Sequence, residues 1–246
     1  MQVEFVGLPG CGKTTLVSAL EKRLAAEGFR AQGLRNAAKA AIAGVQNKIG
    51  FLRQRGERTS LYGSLIFAHK NPELYQWMFK LSNKDFVALI WGMEALSQIG
   101  ILQEHGARDL IVLNDEGFLQ RLSWNFIELE DGPEIAEISR LIPDDFLTVH
   151  LTLDAAQAYG RTKGRKKGIP QPLKGTDDAE AITKFARYGV MLDRFVNERR
   201  SCGCEVFVVD AGQEPDAVLE EVLPYLRPFL PTPIPVSAKK LRRVKA

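Results

Sequence analysis

The sequence predicts an α/β fold: a five-stranded parallel sheet flanked by helices. Two observations carry this. Short runs rich in Val, Ile, Leu and Phe occur at residues 3–6, 110–113, 146–151 and 205–209, with a shorter one at 29–34. Near-continuous apolar runs of that length suit strands buried on both faces. Between them lie longer segments with apolar residues at helical spacing, at about residues 13–27, 84–105, 154–163, 178–200 and 215–226. Strands alternating with helices argue for parallel βαβ units.

In chain order, the first strand runs directly into a glycine-rich turn and the first helix, which is expected to stop at Gly28 because glycine accepts the left-handed conformation that closes a helix. From residue 36 to residue 83 the pattern changes to short helical pieces carrying Arg53, Arg55, Arg58, His69, Tyr75 and Trp77. This reads as a helical insertion over the sheet and not as another βαβ unit. Residues 164–178 contain three glycines and two prolines and join two helices. The domain closes at about residue 227. Residues 228–246 begin with Pro228, Pro231, Pro233 and Pro235 and end in a basic run, which reads as an extended connector followed by a solvated tail.

At 246 residues with 45% hydrophobic content, the chain is long enough to bury a full core. No window approaches 18 consecutive apolar residues and no leader pattern precedes the first strand, so a cytoplasmic protein without a transmembrane segment is expected. The three cysteines include Cys202 and Cys204, spaced too closely for a metal-binding pair, and read as reduced thiols. The formal charge is +3, but Lys239, Lys240, Arg242, Arg243 and Lys245 all fall in the last eight residues, which contain no acid. The body of the protein is therefore close to neutral, which argues against nucleic acid as a partner. The basic tail has the charge to contact an anionic partner or a membrane surface.

The most specific signal is Gly7-Leu8-Pro9-Gly10-Cys11-Gly12-Lys13-Thr14. Glycines let the backbone curl until several N–H groups converge on one anion. The helix that follows adds free N–H groups and the positive end of its dipole. Lys13 is placed to reach the β- and γ-phosphates of a nucleotide, and the Thr14 hydroxyl to complete a Mg²⁺ shell. The nucleotide-binding segment comprises Gly7, Pro9, Gly10, Cys11, Gly12, Lys13, Thr14 and Thr15, with Cys11 a spacer and Thr15 part of the helix start.

A second constellation is Asp115-Glu116 at the end of an apolar strand. In an open α/β sheet this position lines the ligand crevice on the same rim as the phosphate loop. Asp115 suits Mg²⁺ or the proton of an attacking hydroxyl, and Glu116 can share either task; the alternative is a cap for a helix starting near Gly117. A third is the basic stretch Arg161 to Lys167, with Lys163, Arg165 and Lys166 and no acid until Asp177. A cationic flap there would compensate the charge that phosphoryl transfer spreads over oxygen, with Arg161 and Arg165 as the phosphate contacts. This defines a lid at 161–178, against the alternative of a solvated face.

These motifs together resemble the thymidylate-kinase-like branch of the P-loop nucleoside and nucleotide kinases. The likeness rests on residues 7–14, on the strand ending in Asp115, on Leu153-Asp154 followed by Arg161, and on Val208-Val209-Asp210-Ala211 with Gln213. It implies the P-loop NTPase fold, ATP and Mg²⁺ as donor, and arginines in the lid that assist transfer, since the phosphate loop brings no cation beyond Lys13. Two features depart from that family. Ile90-Trp91-Gly92-Met93-Glu94-Ala95 lacks the family's Asp-Arg pair, and Glu116 stands where the family has an arginine. A carboxylate there would repel an acceptor phosphate, so the implied acceptor is a hydroxyl on a neutral or differently anchored small molecule and not dTMP. Arg35, Arg53 and Trp91 are the candidate acceptor contacts, with an exposed arginine or a core aromatic as the alternatives.

The implied function is an ATP-dependent phosphotransferase in which Lys13, Asp115, Glu116, Arg161 and Arg165 are catalytic, Thr14 and Asp115 hold the metal, and the helical insertion forms the acceptor side. A homodimer is compatible with this reading. The competing class is an ATPase or nucleotide switch in which Glu116 activates water to drive a partner.

Overall fold

A computed structural model of the chain describes residues 1–46, 56–82, 86–123, 133–142 and 146–233. The expected Arg53 contact, the centre of the 36–83 segment and the basic end of the 228–246 tail lie outside them. Five strands, β1 (Gln2–Gly7), β2 (Arg30–Gly33), β3 (Leu110–Asn114), β4 (Phe146–Thr152) and β5 (Val206–Asp210), form one sheet in the order β2-β3-β1-β4-β5. Every pairing is parallel, as the strand-helix alternation predicts. All five carboxyl ends therefore meet on one edge.

Period-2 alternation along the strands divides the core. Val3 and Phe5, Ile111 and Leu113, and Leu147, Val149 and Leu151 face α1 (Lys13–Ala26) and α10 (Pro215–Leu226), which contribute Leu16, Leu20, Leu24, Val218 and Val222. The other face carries Val6, Val112 and Phe146. Against it pack residues of α2 (Leu34–Gln46), α3 (Gly56–Lys70), α4 (Pro72–Ser82), α5 (Phe86–His105), α6 (Phe118–Ser123), α7 (Pro133–Leu141) and α9 (Asp178–Ser201). This second face also buries Glu4, Asn114, Thr148 and His150, a polar row where the sequence suggested only core.

Helix α1 closes as expected: Gly28 has φ 88°, and the Phe29 N–H donates to Leu24 O at 2.9 Å, the bond of a Schellman cap. Two features differ from the sequence reading. Helix α2 begins at Leu34, immediately after β2. The short helix α7 fills a stretch that periodicity left unassigned, and α6 begins at Phe118, where the sequence reading has a helix near Gly117 only as the alternative to a functional Asp115-Glu116. A third cluster joins α8 (Ala155–Lys163) to α9 and reaches the glycine-rich turn through Leu8, with Ala158, Tyr159, Leu173, Phe185 and Tyr188.

A guanidinium is also part of the core. Arg199 is fully buried and donates to Ser139 O at 3.0 Å and Ile142 O at 2.8 Å, carbonyls at the C-terminal end of α7 that have no partner within that helix. Arg199→Ala should therefore cost on the order of 3 kcal/mol in urea unfolding, well beyond a surface arginine.

Candidate active site at the carboxyl edge of the sheet

Strand β1 leads at Gly7 into a turn whose backbone only glycine adopts readily, with φ 97° at Gly10 and 92° at Gly12. Cys11 N–H donates back to Leu8 O at 3.2 Å, and Gly12 O accepts the first bond of α1 from Leu16 N–H at 3.0 Å. Gly12 is the N-cap and supplies no side-chain acceptor, and the first turn of α1 contains no acid. With no acid of its own in that turn, the positive helix end faces the glycine turn, the arrangement that favours an anion.

The Lys13 side chain is nine-tenths buried, and its ammonium donates to Gly7 O at 2.7 Å and Leu8 O at 3.1 Å. The cation is thus folded into the turn and held by main-chain oxygens. Next to it, Thr14 Oγ1 donates to Asp115 Oδ2 at 2.7 Å. The two residues assigned to the metal from sequence, 101 positions apart, are in direct contact because β1 and β3 are neighbours in a parallel sheet. A hydroxyl beside a carboxylate is a hard-oxygen pair suited to Mg²⁺.

Glu116 projects outward, its side chain 70% exposed, with Arg121 Nη2 3.7 Å from Oε2. Arg121 Nε also donates to the Glu116 carbonyl at 3.1 Å, so α6 holds the acidic turn with its own arginine. Asp115, in contact with Thr14, is not the cap of α6. That cap comes from across the sheet: Glu4 Oε1 accepts from Gln120 N–H at 3.1 Å, and the amides of Leu119 and Phe118 also favour its charged form. A side chain at Gly117 could not fit, since a Cβ there would lie 2.4 Å from the Glu4 carboxyl carbon and from Asn114 Nδ2.

Burial raises the Glu4 pKa to about 7, against the lowering effect of these amides and of Arg199. His150 is pushed down to about 4, by burial first and then by the positive charges of Lys13 and Arg200. It is therefore a neutral imidazole near neutral pH and adds no charge beside Lys13.

On the basic segment, Arg161 Nη1 donates to Ala211 O at 3.0 Å, just past the end of β5. Lys163 pairs with Asp178 at 2.7 Å, Tyr159 donates to the same carboxylate, and Leu173 is fully buried. Both ends of the segment are thus anchored. Its tip, with Arg165, Lys166 and Lys167, is exposed, and a cavity of about 340 Å³ is lined in part by Tyr159, Lys163, Gly168 and Lys174 and by Asp178 and Ala181 of α9. Arg35 is 73% exposed, with Nη2 4.0 Å from Glu94 Oε1 on α5. The side chain of Trp91 lies outside the described residues.

Sequence reasoning missed Glu4, Gln120, Ser123 and Tyr188. One signal was available: a lone glutamate inside the apolar run Val3-Glu4-Phe5-Val6, which in a sheet buried on both faces must find donors.

No protein-family model matches the chain, and no curated protein sequence matches it. Solved structures do. The structure of deoxyadenosine kinase from M. mycoides with bound dATP covers 92% of this chain with 99% of its own, at 13% identity and a TM-score of 0.50. The same enzyme with products dCMP and a flexible dCDP bound covers 93% with 100% of its own, at 15% identity and a TM-score of 0.51. The fold is that of the P-loop NTPases. At this identity the likeness extends to the fold alone. Among the described residues no helix is long and apolar enough to cross a membrane.

The Glu4 shift has a testable sign. Its folded-state pKa lies above the unfolded value, so its contribution to stability is fully present below about pH 4.5 and is lost as pH rises through about 7. Relative to the parent, Glu4→Gln should therefore gain stability between pH 5 and pH 8, by up to on the order of 3 kcal/mol, measured as urea-unfolding ΔG across that range.

Proposed function

We propose that the chain is an ATP-dependent phosphotransferase that moves the γ-phosphate of Mg-ATP to a hydroxyl of a small, nucleoside-like acceptor. The observation that carries this reading is the Thr14–Asp115 contact at 2.7 Å, beside a glycine turn at an uncapped helix N-terminus. It joins a phosphate cradle, a buried ammonium and a hard-oxygen metal position within one turn of helix.

In this reading the N–H groups of residues 10–15 and Lys13 receive the β- and γ-phosphates, the ammonium exchanging its bonds to Gly7 O and Leu8 O for phosphate oxygens. Thr14 and Asp115 hold Mg²⁺, which when bound neutralises charge on the β- and γ-phosphate oxygens. The acceptor oxygen forms a bond to the γ-phosphorus while the bond from phosphorus to the β-bridging oxygen breaks. ADP leaves, and the acceptor proton passes to Asp115 or Glu116. Arg161, bonded to Ala211 O past β5, helps to hold the nucleotide. Arg165 at the exposed tip is free to swing onto the transferring group, so residues 161–178 act as the lid.

The acceptor side is assigned to residues 36–83 with α5. Beside it, Glu116 lies 3.7 Å from Arg121 and Arg35 lies 4.0 Å from Glu94, so each of these charges faces an opposite one. Matched donors and acceptors suit a neutral, hydroxyl-bearing ligand better than a phosphate. The deoxyadenosine kinase neighbours support a nucleoside-type acceptor over the nucleotide of a thymidylate kinase.

The test is transfer of label from γ-labelled ATP in the presence of Mg²⁺ and a panel of nucleosides and other hydroxyl metabolites. Label should appear in a small molecule, and both Lys13→Ala and Asp115→Asn should reduce kcat by about 10²–10³-fold. Release of free phosphate alone, abolished by Glu116→Gln, would instead establish the water-activating ATPase. The lid separates binding from chemistry: Arg165→Ala should lower kcat at least tenfold with ATP affinity within about threefold of the parent, as expected of a group engaged mainly in the transition state.

A further inference from the structure

We propose that Gln120 is a positioning residue that locks the phosphate loop and the Asp115–Glu116 turn into one rigid unit. The proposal rests on the kinase reading for its catalytic consequence, but not for its structural one. The β1–β3 ladder ends at Glu4 and Asn114, while β1 continues beside β4 to Gly7. Beyond that point β1 and β3 part, and the gap between them is where the loop and the acidic turn diverge. On the β3 side the Gly7 N–H therefore has no strand to bond, and the Gln120 side chain takes that place: Oε1 accepts from Gly7 N–H at 3.0 Å.

Gln120 is 3% exposed and every polar group it has is engaged. Its backbone N–H donates to Glu4, and its carbonyl accepts from Ser123 Oγ at 2.8 Å and from Tyr188 at 3.2 Å. Because Oε1 must accept from Gly7, Nε2 must donate, and it does so to the Tyr188 hydroxyl at 2.6 Å. The orientation of the amide is thus fixed from both ends. Tyr188 is fully buried, and its ring belongs to the cluster that holds Leu8 of the phosphate loop and Leu173 of the basic segment. Gln120 sits five residues beyond Asp115 on the helix that carries the acidic turn. One amide therefore joins the start of the phosphate loop, the acidic turn and the helix that anchors the lid, and the 2.7 Å Thr14–Asp115 contact depends on the first two keeping their spacing. Displacements of about 1 Å between catalytic groups are enough to change rate strongly.

Gln120→Met removes both side-chain bonds at similar volume, and Tyr188→Phe removes only the anchor. Native-state hydrogen exchange and nucleoside-dependent ATP turnover are measured on both. The expected result for Gln120→Met is faster exchange at residues 7–12 and 115–118 together, with Pro215–Leu226 unchanged, and a kcat reduced 10–100-fold with ATP affinity within threefold of the parent. Tyr188→Phe should move the same amides with a smaller loss of kcat. Faster exchange in only one of the two segments, or in all helices equally, would overturn the proposal. If Gln120→Met does not fold, the Tyr188→Phe exchange pattern decides by the same criteria. A parent protein that transfers no phosphate would remove the kinase reading and leave the exchange result to decide the coupling by itself.

Discussion

The site depends on the position of β1 between β3 and β4 in an all-parallel sheet. Parallel pairing brings every strand to the same edge with its carboxyl end, and the order β2-β3-β1-β4-β5 makes the first and third strands neighbours. The turn after β1 supplies N–H groups and a cation, and the turn after β3 supplies carboxylates. One brings the groups of an anion cradle, and the other brings negative oxygen. Their juxtaposition follows from backbone topology, so the side chains at the rim need only small adjustments to meet, as Thr14 and Asp115 do.

That topology has a cost in the sheet itself. Where β1 and β3 separate, backbone groups lose their ladder partners in a region closed to water, and an unpaired buried amide or carbonyl is strongly unfavourable. The chain resolves this with polar side chains placed inside the core. Glu4 caps α6 from the strand beside it, and Gln120 completes the ladder at Gly7. The carboxylate is poorly solvated there, which is why its pKa rises to about 7. Gly117 is needed because the turn must pass over Glu4 with no Cβ. A feature that completes the backbone pairing at the edge of the site thus also holds a carboxylate where burial opposes its charge.

The difference between what the sequence disclosed and what it withheld has the same physical origin. The strands, their parallel pairing and the glycine turn were legible because each is encoded by neighbouring residues: apolar runs for strands, and glycines at fixed offsets for the turn. Asp115 was legible because a carboxylate at the end of a buried strand falls on the ligand rim of such folds. Glu4, Gln120 and Tyr188 were not, since their roles arise from contacts 65 or more residues apart in sequence and a single polar residue in an apolar run has no periodicity to betray it. Helices α6 and α7, of six and nine residues, are too short for helical spacing to be read with force. Arg161 and Arg165 were read as phosphate contacts from their charge and the planar fork of their side chains. In the structure Arg161 bonds to Ala211 O, 50 positions away in sequence, a contact that only three-dimensional placement supplies.

The charge at the proposed acceptor side changes meaning for the same reason. In the sequence Glu116 stands alone after Asp115 and argues for repulsion of any anionic acceptor. In the fold the helix following it returns Arg121 to both its carbonyl and its carboxylate. The field beside Glu116 is therefore that of an ion pair, much weaker at a distance than that of a single carboxylate. Exclusion of a phosphate then rests less on repulsion than on the need to break an existing pair to obtain a guanidinium, and exposed pairs of this kind contribute only about 0–1 kcal/mol. Discrimination between a neutral and an anionic acceptor would accordingly be modest if it came from Glu116 alone. The hydroxyl preference proposed for this site must draw on donors and acceptors across the α2–α5 side, of which the Arg35–Glu94 pair is one.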